Sequence, residues 1–246
     1  MQKLKKNNRI YFEFELFKQF PQLTAFVTTR SCGNLVLNKD EVLSDWSINS
    51  SKLVTAEQVH GANVSHVTDA KITLADNSKQ IAQTDGLIGV RNLASMILTA
   101  DCAPVFIFDP KNQLTCLIHA GWRGLHKRII TQAVQKLQQE FGSNPEELFV
   151  AVGPLLAKSD YQVRQDLVEA FGQSHGQTAK NFFSQHQGKI FFDLEKAILF
   201  DLEKTGIKPT QTEVSGVSTG QSLEHFYSHR VEKGKTGRFA SLMLII

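Results

Sequence analysis

The 246-residue sequence predicts an α/β fold, with α+β character, in which mixed β-sheets are stacked in layers and flanked by helices. Two observations lead to this prediction. Short apolar or alternating runs of strand length fill the first half of the chain, whereas apolar residues at four-residue intervals appear only after His119. No clear linker divides the chain, so a single domain over residues 1–246 is expected.

The individual elements follow from these patterns. Strands are expected where the apolar character alternates or is briefly continuous, at Ile10–Glu15, Leu23–Thr29, Leu53–Gln58, Asn63–Asp69, Leu93–Thr99, Pro104–Phe108 and Leu114–His119. Turn formers at residues 109–112 predict a hairpin between the last two of these strands. Later elements are expected as helices over 125–141, 163–171 and Leu194–Lys204, with strands at Leu148–Val152, Glu213–Ser218 and Phe239–Ile246.

The ends of these helices carry their own signals. Gly142 and Gly172 are expected to stop the first two helices, and Asp193 is expected to cap the third, which closes before Gly206. The polar segment Ser174–Gly188 is predicted as a surface loop.

Composition and charge exclude several classes of function. A net charge of +3 is too small for a nucleic-acid-binding surface, so no nucleic-acid partner is expected. Nowhere do eighteen apolar residues follow one another, and Glu13 and Glu15 interrupt the first apolar stretch, so neither a membrane span nor a signal peptide is expected. Three widely spaced cysteines without an export signal indicate reduced thiols in a cytoplasmic protein.

Three potential metal ligands, His60, Cys102 and His119, lie beside glycines or at the ends of predicted strands. A rigid sheet can present such side chains to a cleft, and a thiolate with two imidazoles suits Zn²⁺. Three protein ligands leave one tetrahedral position open, as in catalytic zinc sites. The residues alone also allow simpler interpretations: a turn residue at 60, a small core residue at 102 and a hydrogen-bonded strand-end histidine at 119.

The motifs around these residues, Gln-Val-His-Gly at 58–61, Thr-Ala-Asp-Cys-Ala-Pro-Val at 99–105 and His-Ala-Gly-Trp-Arg-Gly at 119–124, resemble the signatures of one enzyme family. It is the purine nucleoside phosphorylase family also catalogued as laccase-domain or multicopper polyphenol oxidase proteins. Further matches at 28–30, 84–87, 152–154 and 236–240 extend the resemblance to the C-terminus. The resemblance implies one laccase-domain-type phosphorylase domain over residues 1–246, with layered mixed sheets and Zn²⁺ on His60, Cys102 and His119.

The resemblance also implies the chemistry. The expected partners are a purine nucleoside and inorganic phosphate, with phosphorolysis of adenosine, inosine and guanosine. Adenosine deamination and methylthioadenosine cleavage are implied as further activities, and zinc is favoured over copper. The chain departs from the family pattern where a short Ser31–Asn34 segment replaces a glycine-rich one, and where Asp160 replaces a cysteine.

Arginines are the expected phosphate ligands, because a planar guanidinium matches phosphate bidentately. Arg30 and Arg123 lie within matched motifs, so they complete the predicted catalytic set with His60, Cys102 and His119. A lone arginine is more often a surface charge or a carbonyl cap than a phosphate ligand. For Arg230 and Arg238 both interpretations, a functional and a structural one, remain open.

Two aspartates next to the ligand motifs have alternative interpretations. Asp101 could hold a ligating imidazole by accepting its second N–H, or it could be a solvated residue at a strand end. Asp85, which precedes a glycine, is expected first as a turn former and second as a site residue.

Rival functions use the same residues. A copper polyphenol oxidase would need several coppers, whereas the sequence offers one His₂Cys set and no His-x-His pair. A metal-free hydrolase would use Cys102 as nucleophile and His119 as base. A binding protein is the third alternative, if the missing glycine-rich segment has disabled the site.

Overall fold

A computed structural model describes residues 1–69, 72–73 and 78–246. In chain order its strands are β1 (Gln2–Lys6), β2 (Arg9–Glu13), β3 (Leu23–Thr28), β4 (Leu53–Ala56), β5 (Val64–His66), β6 (Ile72–Thr73), β7 (Lys79–Ile81), β8 (Gly86–Gly89), β9 (Ala94–Thr99), β10 (Ala103–Asp109), β11 (Leu114–Ala120), β12 (Phe149–Val152), β13 (Gln162–Val163), β14 (Phe183–His186), β15 (Lys189–Phe192), β16 (Thr212–Val214) and β17 (Phe239–Ile245). Its α-helices are α1 (Asp40–Asp45), α2 (Trp122–His126), α3 (Ile129–Phe141), α4 (Gln165–His175) and α5 (Leu194–Lys204).

The strands form three sheets, two of which mix parallel and antiparallel pairs. An eight-stranded sheet has the order β1-β2-β3-β17-β9-β4-β7-β6, and a six-stranded sheet has the order β16-β12-β10-β11-β8-β5. In the first sheet β4 is parallel to β9 and β7, and in the second β5 is parallel to β8 and β16 to β12. A small antiparallel sheet, β13-β15-β14, completes the set. The predicted α/β class with mixed sheets and helices is confirmed.

The side chains of β10 show how the layers pack. Val105 and Ile107 belong to the apolar cluster that also contains Val134 of α3 and Ile198 of α5. The alternate residue Phe106 instead joins the cluster shared with the eight-stranded sheet. Because successive side chains of a strand point to opposite faces, β10 is buried on both sides, by helices on one and by the second sheet on the other.

Most predicted strands are present with shifted ends, and the predicted hairpin at 109–112 is confirmed by the antiparallel β10–β11 pair. The prediction of one continuous helix over residues 125–141 is wrong. The helical segment begins earlier, at Trp122, and Arg128, whose φ of 64° is left-handed, divides it into α2 and α3. The four-residue spacing persists across this break, so periodicity alone could not detect it.

The second helix and the segment after it also differ from expectation. Helix α4 continues through Gly172, where nothing crowds the backbone, and the left-handed residue that follows it is Gly176. The predicted surface loop Ser174–Gly188 instead contains a 3-10 helix and β14, which pairs with β15. By contrast, α5 has the predicted bounds, and the Asp193 carboxylate accepts the N–H of Lys196 as its cap.

Within the described residues, no helix has both the length and the apolar character needed to cross a bilayer.

Candidate metal centre and its cavity

Three segments that are distant in sequence converge on one point. His60 follows β4 in a turn with φ of 57°, Cys102 lies between β9 and β10, and His119 is the penultimate residue of β11. One donor atom from each side chain lies within 4.8 Å of the others. His60 is exposed, Cys102 is half-buried and His119 is buried. The structure therefore brings together the three ligands predicted from the sequence.

The β10–β11 hairpin explains why Cys102 and His119 meet. Pro104 is paired with His119 across the hairpin, so the residues preceding β10 lie opposite those following β11. Gly121 is the residue that permits this approach. A Cβ atom at position 121 would lie 2.8 Å from the Cys102 Sγ and 3.8 Å from a ring carbon of His60.

Asp85 orients the imidazole of His119 and holds the backbone of His60. His119 Nδ1 donates to Asp85 Oδ1 over 2.8 Å, because an ionised carboxylate can only accept. The same carboxylate accepts the backbone N–H of His60 at 2.9 Å and that of Gly61 at 2.6 Å. An imidazole held in this way through one nitrogen leaves the other free for a metal, as in known metal sites.

Neither of the two interpretations that the sequence left open for Asp101, holding an imidazole or lying solvated at a strand end, describes its contacts. Asp101 is buried, but its carboxylate accepts from Thr219 Oγ1, Ser228 Oγ and the backbone N–H of Arg230, at 2.6–2.7 Å. Its φ of 88° lies in the left-handed region. The local signal for Asp85 was its place in the matched 84–87 segment, although nothing in that segment shows which histidine it contacts.

Burial disfavours the thiolate form of Cys102 and the protonated form of His119, but the attraction between these two charges outweighs the effect of burial. The charge of His119 and hydrogen bonds from both imidazoles lower the pKa of the Cys102 thiol to about 6. In the opposite sense, the neighbouring Cys102 and Asp85 raise the pKa of His119 to about 9. At neutral pH Cys102 is therefore largely a thiolate, which is the form that binds a metal or acts as a nucleophile.

A cavity of about 510 Å³ opens over the cluster and is rich in cations. Its lining includes Arg123, His229, Arg230 and Arg238. The Arg123 guanidinium lies 4.4 Å from the Trp122 ring centre. Throughout the described part of the chain, no carboxylate forms an ion pair with Arg123, Arg230 or Arg238. The three guanidiniums are therefore free of ion pairs within the described residues, while Glu57 and Asp101 also line the cavity.

Arg30 lies elsewhere. It is not among the described residues that line the cavity, and its Nη2 pairs with Glu232 Oε2 at 2.6 Å. Its catalytic role therefore stays a prediction. His229 and Tyr161 do line the cavity but were not in the predicted catalytic set. The sequence offered His229 only as a candidate purine contact, and Tyr161 only as part of the segment in which Asp160 replaces a cysteine.

The fold and the cluster define a layered α/β protein with a candidate His-Cys-His metal centre beneath a cationic cavity. The chain belongs to the family described as multi-copper polyphenol oxidoreductase laccase, whose family model matches residues 31–246.

Curated relatives of the chain carry the name purine nucleoside phosphorylase. One is the purine nucleoside phosphorylase YlmD of Bacillus subtilis, 30% identical over 86% of this chain and 77% of the relative. Another is the purine nucleoside phosphorylase of Bacteroides thetaiotaomicron, 25% identical over 94% of this chain and 95% of the relative. The family of the chain therefore includes proteins named as enzymes of nucleoside phosphorolysis, which confirms the resemblance found in the sequence.

Solved structures share the fold. The Bacillus licheniformis hypothetical protein YfiH matches with a TM-score of 0.86 and 26% identity, covering 93% of this chain and 95% of that one. YlmD from Geobacillus stearothermophilus matches with a TM-score of 0.88 and 22% identity, covering 100% and 98%. These likenesses extend over nearly the whole chain, including the layers that carry the cluster.

Proposed function

We propose that the protein is a zinc-dependent purine nucleoside phosphorylase that converts adenosine, inosine or guanosine and phosphate to free base and ribose 1-phosphate. The carrying observation is that a His-Cys-His cluster and three arginines, none of them in an ion pair with a described carboxylate, line one cavity. Phosphorolysis needs an anion beside an electron-deficient sugar carbon, and such a cavity supplies the matching charge. The two relatives named purine nucleoside phosphorylase support the same assignment.

The donor set suits zinc. A thiolate and two imidazoles are ligands that Zn²⁺ accepts in tetrahedral sites, and the Asp85–His119 hydrogen bond supplies the outer support typical of them. His60, Cys102 and His119 would hold the ion, which would supply Lewis acidity at the floor of the cavity. A multicopper centre needs further ligand groups, and the described residues contain a single cluster of this kind.

The chain's own side chains would manage the phosphate. Arg123 would neutralise the anion and hold it toward the sugar, since no carboxylate among the described residues pairs with its guanidinium, which lies over the Trp122 ring. Arg230, which donates to the Gln162 carbonyl and lies over Tyr161, would supply a second positive charge. Arginine is suited to both positions because it stays protonated in every cavity environment.

The proposal is tested by incubating the purified protein with adenosine, inosine or guanosine, with and without phosphate. Chromatography of the products should show base release that requires phosphate and that a Cys102→Ala variant lacks. Equal base release without phosphate would indicate a hydrolase, and no release would contradict the proposal. Inosine from adenosine and adenine from methylthioadenosine test the two further activities. A cytoplasmic location, and the absence of nucleic-acid and membrane partners, belong to the same proposal.

A second candidate, a metal-free cysteine hydrolase, is favoured by one observation. The pKa of Cys102 near 6, beside a protonated His119, is the pairing of an activated nucleophile and its acid–base partner. Dipicolinate treatment followed by elemental analysis separates the candidates. A phosphorylase that uses zinc loses the metal and its activity together and regains both with Zn²⁺, whereas the hydrolase keeps its activity and yields only to thiol alkylation.

A further inference from the structure

We infer that Arg30 is a positioning residue that acts through Glu232. The ion pair between them holds the loop of residues 226–238, which carries His229, Arg230 and Arg238 into the cavity, in the conformation that binds phosphate. The inference rests on the proposed phosphorylase function, because that function assigns the anion to this cavity. It gives Arg30 a role in the reaction without contact between Arg30 and the anion.

Three separate contacts direct the Arg30 side chain at this loop. Nη2 pairs with Glu232 Oε2 at 2.6 Å, and Nε donates to the backbone carbonyl of Phe226 at 2.9 Å. The guanidinium carbon lies 4.2 Å from the ring centre of Tyr227. Only 28% of the Arg30 side chain is exposed, so its donors and one face are directed into the loop rather than into solvent or the cavity.

Glu232 extends this restraint across the loop. Its Oε2 accepts the backbone N–H of Ser228 at 2.9 Å and the hydroxyl of Thr236 at 2.5 Å. Ser228 immediately precedes His229 and Arg230, and Thr236 lies two residues before Arg238. A single carboxylate neutralised by Arg30 therefore fixes the loop on both sides of His229 and Arg230, and two residues before Arg238.

Asp101 anchors the same loop from the other direction. Its carboxylate accepts the backbone N–H of Arg230 at 2.6 Å and the hydroxyl of Ser228 at 2.7 Å. Ser228 thus contacts both carboxylates, one through its N–H and one through its hydroxyl. With the backbone held at two points, the direction of the Arg230 guanidinium depends on both anchors, and loss of either should let it move away from the anion.

Titration calorimetry with inorganic phosphate on the zinc-loaded full-length protein tests the inference. The variants are Arg30→Met, Glu232→Gln and the double variant, with Lys111→Met/Glu147→Gln as a control that removes a surface ion pair. Each single variant should raise the Kd of phosphate about three- to tenfold, because small displacements of a binding group are costly. The double variant should do no more than the more affected single variant, since both changes break one coupled unit. The control should leave the Kd unchanged.

The alternatives give different results. If Arg30 binds phosphate directly, Glu232→Gln releases a cation and keeps or lowers the Kd while Arg30→Met raises it, which would overturn the inference. A Kd that rises only in proportion to the fraction of unfolded protein at the titration temperature would also overturn it, whereas a lower melting temperature by itself is expected of Glu232→Gln. If wild-type protein binds no phosphate, the proposed function itself fails. If it binds phosphate and both single variants bind equally well, only the positioning role of Arg30 is wrong.

Discussion

Gly121 offers the sharpest test of the metal centre, because its substitution by alanine perturbs one contact. Its φ of −92° and ψ of 171° are open to any residue, so Gly121→Ala introduces no backbone strain. The new Cβ would lie 2.8 Å from the Cys102 Sγ, whereas ordinary contacts begin at 3.4 Å. The sulfur must therefore move by about 0.6 Å, the difference between these distances. A thiolate displaced by that distance no longer shares the ion well with His60 and His119.

We expect Gly121→Ala to weaken zinc binding by about 10- to 100-fold, the loss typical when the support of a metal ligand is removed. Competition against a chromophoric zinc chelator measures this affinity. Gly172→Ala is the matched control, because that glycine lies inside α4 with no atom within 4 Å of the added Cβ. The control should bind zinc normally and be stabilised by up to about 1 kcal/mol.

Zinc affinity of Gly121→Ala equal to that of wild type and of Gly172→Ala would refute this account. A double-mutant cycle with Cys102→Ala gives a second check. When the sulfur is absent, the nearest remaining atom of residue 102 is its Cβ at 3.7 Å, an ordinary contact. Gly121→Ala should then lower the melting temperature less in the Cys102→Ala background than in wild type, and an equal loss in both backgrounds would contradict the steric explanation.

Three further predictions use other parts of the site. Arg123→Ala should reduce kcat/KM by about 30- to 1,000-fold with a nearly unchanged melting temperature, since it removes one charge-assisted contact to phosphate; an unchanged phosphate KM and kcat would assign Arg123 to the fold. Asp85→Asn should lower zinc affinity by about tenfold or more, because the amide keeps one accepting oxygen and its N–H₂ must then face either His119 Nδ1–H or the backbone N–H of Gly61. A wild-type value in chelator competition would disprove this. Arg30 and two further hydrogen bonds outweigh burial and lower the pKa of Glu232 to about 2, so this carboxylate stabilises the fold above its unfolded pKa of 4.5 and loses that contribution as pH falls toward 2. Urea unfolding should show Glu232→Gln less stable than wild type at pH 6, with the gap narrowed at pH 3 and still closing toward pH 2; a gap independent of pH would contradict the assignment.

Local patterns predicted those features that depend on neighbouring residues. The continuous apolar run of β10, the turn formers before β11 and the Asp193 cap of α5 each depend on only a few neighbouring residues, so the sequence predicts them directly. The two helix errors have the same origin, because a four-residue spacing cannot reveal a left-handed residue such as Arg128, and a glycine does not by itself end a helix.

The ligand set is a different case, since His60, Cys102 and His119 were selected by residue type, position at strand ends and resemblance to a family. The structure brings their donor atoms within 4.8 Å of one another. Their roles as ligands and catalytic groups stay predictions, as does a single domain over residues 1–246.

The sequence by itself determined the α/β class, most strands, the family and the three donors that meet beneath the cavity. Only the tertiary structure decided which carboxylate supports them and which arginines face the cavity. Asp85 and Asp101 both lie next to strand ends in matched motifs, yet Asp85 contacts His119 whereas Asp101 contacts the loop after residue 218. The two predicted phosphate ligands also differ in position, because Arg30 pairs with Glu232 whereas Arg123 lines the cavity. The physical reason is that strand pairing and backbone turns determine the direction of a side chain, and these depend on residues far away in the chain.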